Sequence, residues 1–210
     1  MNRAMAIAAA VLNFISGTAL AMSIRFDPDT AVRELPVVAW VQIREATALT
    51  SATGDSCGVR YTAQVVSAIR GTTEGEVLSF GFFTGREVGQ QFIVFLRQKP
   101  SLEPSQSSPL PSQPLMSNCW KAFPELLEVA EGLGTIPVES SPSGSQVTLD
   151  HMYHIVPLDL VPEEQLAGNV VDGYFTGAIS LRASYFAARL RNRATALELS
   201  GRSGPRSRSD

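Results

Sequence analysis

His151 and His154, in the stretch DHMYH, are the only histidines of the 210-residue chain. On a helix their three-residue spacing would put both imidazoles on one face, with Asp150 and Asp159 at hand to complete a zinc site for hydrolysis. The surrounding VTLDHMYHIVPLDLV, Val147 to Val161, reads instead as a strand broken at Pro157, where residues three apart point to opposite sides. Ordinary surface histidines are therefore the preferred reading. A metal-dependent hydrolase using the His151/His154 region stands as the alternative.

Other chemistry is thinner. Glu125, Glu128 and Glu131 recur at three-residue steps, which on a short helix gives a solvated acidic face rather than an acid/base pair set across a cleft. With two histidines a Ser-His-Asp arrangement has little to draw on, and neither a nucleophile elbow nor a phosphate-cradling glycine loop is present. No catalytic residue, metal ligand or cofactor is assigned.

The compartment is more legible than the chemistry. The chain opens MNRAMAIAAAVLNFISGTALAMS, with one early arginine, an apolar run from Ala4 to about Ile15 and the small-residue triplet Ala19-Leu20-Ala21. That is the pattern of a secretory signal peptide over residues 1–21, cleaved after Ala21. The run is too short for a bilayer, which takes about 20 apolar residues, so the mature chain is expected to be exported, periplasmic or extracellular, without an integral span.

In an exported chain the even pair Cys57 and Cys119 makes a disulfide the default. Closing that loop removes denatured-state entropy worth about 4 kcal/mol. A reactive thiol or metal ligand is the alternative, but no C-x-x-C spacing, adjacent histidine or cationic cluster supports it.

Charge divides the chain. Met22 to Leu181 holds 18 acids and 9 basic residues, whereas Arg182 to Asp210 holds 7 arginines with only Glu198 and Asp210 as acids. An acidic body lacks the electrostatic attraction that oligonucleotide binding relies on, so nucleic acid is not an expected partner.

The elements that would position any site begin at Leu35 to Leu49, rich in Val, Ile and Trp, which reads as a strand. A turn over Ser51 to Ser56 leads into CGVRYTAQVVSAIRG, where Tyr61, Ala63, Val65, Ser67 and Ile69 share one face up to the terminating Gly71. EGEVLSFGFF follows, with Gly81 as a bulge or bend, and then QQFIVFLRQ. Four strands on short turns predict an antiparallel meander.

Residues 100–117, with five prolines and six serines, form a loop inserted between barrel elements. Pro124 opens an expected short helix carrying Leu126, Leu127, Val129 and Ala130, and Ser140 to Ser145 reads as a loop. From Ala178 to Leu199, Ile179, Ala183, Phe186, Leu190, Ala194 and Leu197 recur at helical steps. Small residues in that stripe favour docking on the body over contact with a membrane surface.

The pattern C-G-x-x-Y-x-A-x-V, the closing R-G, the later V-G-x-x-F-I-V-F-L and the second cysteine resemble the netrin-like fold of the tissue inhibitors of metalloproteinases, especially bacterial relatives. The matching residues are Cys57, Tyr61, Ala63, Val65, Gly71, Val88, Gly89, Phe92 to Leu96 and Cys119, within Val37 to Val161. The resemblance implies an OB-like five-stranded barrel with helices outside. Vertebrate members chelate the protease zinc through a mature N-terminal cysteine. The mature end expected here is Met22-Ser23, so that chemistry does not carry over.

The expectation is a mainly β protein: an OB-like netrin-type barrel with a short helix and a C-terminal helix. Its parts are a signal peptide (1–21), an N-terminal extension (22–34), the barrel (35–162) with its Pro/Ser-rich loop, a connection and amphipathic helix (163–199), and a disordered tail (200–210). The expected function is a non-catalytic protein-binding or inhibitor-like module with an unidentified protein partner.

Overall fold

A computed structural model describes residues 25–101, 119–129, 132 and 134–202. The expected signal peptide, the bulk of the Pro/Ser-rich loop and the end of the basic tail lie outside them. Asp27 caps the first helix, α1 (Pro28–Glu34), by accepting the N–H groups of Asp29 and Thr30 on its carboxylate, and Pro28 supplies a preset φ at the first position.

Next come the four expected strands β1 (Val37–Thr50), β2 (Ser56–Arg70), β3 (Val77–Phe82) and β4 (Gln91–Gln98), but the expected meander stops at β3, since β4 pairs with β1 and not with β3. Gly71 ends β2 because its φ is +66° and a Cβ there would lie 1.9 Å from the Pro36 carbonyl oxygen. Gly81 is also a close-approach position: an added Cβ would meet the Val59 carbonyl oxygen at 2.4 Å.

The short helix expected after Pro124 is instead a strand, β5 (Leu126–Glu128). It pairs parallel to β3 and antiparallel to β4, filling the gap between their edges, while β1 pairs with both β2 and β4. The ring β1-β2-β3-β5-β4 closes into an OB-like five-stranded barrel. Backbone groups left open on β3 and β4 override a weak local helical pattern. The short helix of the fold is α1, inside the expected N-terminal extension.

The sheet then leaves the barrel through β6 (Thr135–Ser141), β7 (Gly144–Asp150) and, after an excursion, β10 (Ala178–Arg182). The expected loop at Ser140 to Ser145 is thus the tight β6–β7 hairpin. The strand expected to run to Val161 stops at Asp150, followed by a turn and a single 3-10 turn at Leu158–Leu160. The expected connection holds α2 (Glu163–Leu166) and a two-stranded hairpin, β8 (Val170–Val171) and β9 (Tyr174–Phe175). Ala178 begins a strand, and the terminal helix, α3, runs Ala183–Arg202.

Two cores share one wall. Val37, Ala39, Val41 and Ile43 of β1 and Phe92, Val94 and Leu96 of β4 point into the barrel with Tyr61, Ala63, Val65, Leu78 and Phe80. Val38 of β1 and Ile93 and Phe95 of β4 point outward, into a second core with Val32, Val147, Leu149, Phe186 and Leu190. The uninterrupted apolar run FIVFL is what a strand buried on both faces requires.

A bulge at Val66 resets β2, because Val65 pairs with Val41 while Ser67 pairs with Trp40. Ile69 therefore leaves the face it was expected to share with Tyr61 and joins the outer core. The helix α3 docks there through Ala183, Phe186, Ala187, Leu190 and Ala194. Arg189 bridges Asp29 (2.7 Å) and Asp159 (2.5 Å), and Arg191 donates to the Ala68 carbonyl from its Nε (2.9 Å).

Cys57 and Cys119 are joined, with Cα atoms 5.3 Å apart. The bond pins the segment after the Pro/Ser-rich loop onto the β1–β2 arm, where Leu49, Trp120, Phe123 and Leu127 bury it.

Candidate binding surface

The polar groups most deeply enclosed lie at the barrel mouth. Arg86, on the β3–β4 loop, reaches Oε1 of Glu128 at 2.5 Å, with both side chains buried. Its guanidinium stands 5.4 Å and 5.5 Å from the ring centres of Tyr61 and Phe92, a cation–π sandwich that seals the barrel. Glu128 also accepts the Thr135 hydroxyl (2.9 Å) and the Phe83 N–H (3.3 Å).

Burial pushes the Glu128 carboxyl above its ordinary range, against the opposing pull of Arg86 and these two hydrogen bonds. The arrangement closes and aligns the mouth. It offers neither a second carboxylate nor a nucleophile. The expected solvated glutamate face is therefore corrected: Glu125 is exposed beside Lys99, whereas Glu128, on a strand, points inward. Glu131 lies outside the described residues.

The histidines occupy the turn after β7, so the surface strand expected for them is also corrected. His151 Nδ1 lies 3.3 Å from the Gly177 carbonyl oxygen and 3.4 Å from Asp150 Oδ1. His154 is buried, its Nδ1 3.4 Å from the Asp150 N–H, and burial lowers its pKa. Its backbone is bridged to Phe26, which donates its N–H to the Tyr153 carbonyl and accepts the Ile155 N–H, both at 2.8 Å. Asp159 is engaged by Arg189 of α3 rather than by the histidines. Among the described residues no three His, Cys, Asp or Glu side chains gather as a metal would need.

The same turn exposes large apolar side chains. Met152 and Tyr153 are more than half exposed, while the adjoining backbone is held by Phe26 and the Asp150 carboxylate, which accepts the Met152 N–H at 2.9 Å. Arg25 and Phe26 link this turn to the β8–β9 hairpin, which turns through Asp172 (φ 51°) and Gly173 (φ 80°), as a two-residue primed turn requires.

Phe175 anchors the hairpin in the outer core, leaving Val171 and Tyr174 exposed, and Arg25 lies over the Tyr174 ring at 5.4 Å. Because Arg25 precedes Phe26, the two aromatic groups are joined through the chain's first described residues. Exposed aromatic and aliphatic side chains on a hydrogen-bonded backbone, with Arg25 over one ring, are of the kind found at macromolecular contact surfaces. The D-G dipeptide between V-V and Y-F was the sequence signal for this hairpin.

No family model, curated protein or solved structure matches the chain.

Proposed function

We propose that the protein is an exported, non-catalytic protein-binding module whose contact surface is formed by Arg25, Met152, Tyr153, Val171 and Tyr174. The observation that carries this is the exposure of Tyr153 and Tyr174, each beside a buried chain neighbour, His154 and Phe175, on segments linked through Arg25 and Phe26. Ordering of such a surface is completed on folding, so little conformational entropy is lost when a partner docks.

The closed, side-chain-filled barrel and the engagement of Glu128 by structural partners support a scaffold rather than an enzyme. The signal-peptide pattern, the disulfide and the lack, among the described residues, of any helix long and apolar enough to cross a membrane are compatible with export. The netrin-like resemblance supports an inhibitor-like role without the N-terminal cysteine chemistry.

The test uses the mature chain and a Tyr153→Ala/Tyr174→Ala variant, both with an intact disulfide and matched melting, as baits on the native exported fraction. A partner held stoichiometrically by the first and released by the second is expected. Equal retention by both sinks the reading, as does zinc-dependent hydrolysis abolished by His151→Ala or His154→Ala.

A further inference from the structure

Strand β10 ends the eight-stranded sheet. It pairs with β7 from Ala178↔Asp150 to Arg182↔Gln146 without a register shift, and among the described residues no strand lies on its other side. Natural edges are blunted by proline, by bulges or by charges placed along the strand. The sequence Ala178-Ile179-Ser180-Leu181-Arg182 has none of these before its last residue.

We propose that β10 is the edge through which two copies of this chain pair, antiparallel and centred on Ser180. In that register Ser180 faces its own equivalent, Ile179 faces the second copy's Leu181, and Ala178 faces the second copy's Arg182. Small and polar groups meet on the outer face, and aliphatic groups meet on the core side. No like charges oppose one another, so the strand is self-complementary.

Charge selects a second copy over an unrelated strand. Ala178, Ser180 and Arg182 share the exposed face with their β7 partners Asp150, Thr148 and Gln146. The Thr148 and Ser180 hydroxyls, 3.0 Å apart, confirm that those two side chains point to the same side. In the paired sheet Arg182 lies over the small Ala178 of the second copy, with that copy's Asp150 one strand further on.

Two strand spacings separate the Cα atoms of Arg182 and that aspartate, about 9.5 Å, which an arginine and an aspartate together can span. The two-fold axis makes this ion pair twice. Among the described residues Arg182 has no side-chain partner of its own. One oxygen of Asp150 serves the Met152 N–H, leaving the other for the guanidinium. Half-buried Leu181 meets the second copy's Ile179 on the core side of the seam.

A five-residue pairing is small, so the dimer is expected in the micromolar range rather than as an obligate assembly. Light scattering on the mature chain from about 1 to about 200 µM should show a monomer passing to a dimer. Arg182→Glu should raise the dissociation constant at least about tenfold without changing the melting of the monomer.

Ser180→Cys places two thiols on the axis. Directly opposed residues have Cα atoms about 4.5–5.5 Å apart, within disulfide reach, so mild oxidation should give a covalent dimer. Ala178→Cys, facing arginine, should not. A chain monomeric throughout overturns the proposal, as does a dimer in which Ala178→Cys cross-links as fast as Ser180→Cys. A dimer indifferent to Arg182→Glu overturns it as well, because the ion pair is what selects a second copy.

Discussion

The barrel interior and the outer core use the same two strands and differ in where their remaining residues come from. The interior is completed by β2 and β3, neighbours in the sequence, through side chains alternating at a period of two. The outer core is completed by α1, β6, β7, β9, β10 and α3, gathered from both ends of the described chain. One is a local product of pattern, and the other exists only after the chain returns. Because β1 and β4 wall both, neither can be lost while the other keeps its strands.

The largest test of that shared wall removes a ring from each side. Phe80→Ala empties part of the barrel, and Phe95→Ala removes the partner of Phe26, whose ring centre lies 4.9 Å away. Each should cost about 3–5 kcal/mol in urea unfolding, with one transition reported alike by far-UV and aromatic signals. Two separated transitions in the Phe95 variant would show that the cores melt independently.

A second test sharpens the contrast in polar burial. Glu128→Gln leaves Arg86 without its anion inside the barrel mouth and is expected to cost about 3 kcal/mol. Joint replacement by Arg86→Met and Glu128→Leu should recover most of that loss. If the double variant is as unstable as the single one, the pair contributes attraction well beyond its desolvation.

A smaller effect separates the regions by pH. His154, beside the outer core, has a pKa lowered by burial from 6.5. The unfolded chain takes up that proton first, so stability present above 6.5 is lost as pH falls through it toward the folded value. Glu128, raised by burial from 4.5, acts oppositely: the folded chain protonates first and gains stability as pH falls toward 4.5. The melting-temperature advantage of the wild type over His154→Gln should therefore shrink from pH 7.5 to 5.5. A constant difference disposes of the histidine's part.

The division between the cores also explains what could be read before folding. Strands β1 to β4 alternate over long spans, and Cys57 and Cys119 had one intramolecular pairing open to them, so these were legible. Leu126–Glu128 was not, because three residues carry no period and their strand state is imposed by two waiting edges. Ala178–Arg182 continued the helical repeat of α3 by chance, and only pairing with β7 makes it a strand.

Ile69 was placed on the wrong face because the bulge at Val66 has no residue-type signature. At the candidate surface the hairpin tip has a turn signal in Asp172-Gly173, yet that stretch was expected only as a connection. Its link to Tyr153 runs through Arg25, over the Tyr174 ring, and Phe26, bridged to the turn after β7 across more than half the chain.

The Cys57–Cys119 bond spans the whole of residues 102–118, since the Pro/Ser-rich stretch lies between the two cysteines in sequence. A protease that cuts there produces two polypeptides, one ending and the other beginning within that stretch, that stay covalently attached. The nicked protein should migrate as a single species on a non-reducing gel, split in two when reduced, and keep its unfolding midpoint until reduction. The bond makes the continuity of the backbone dispensable at this one place.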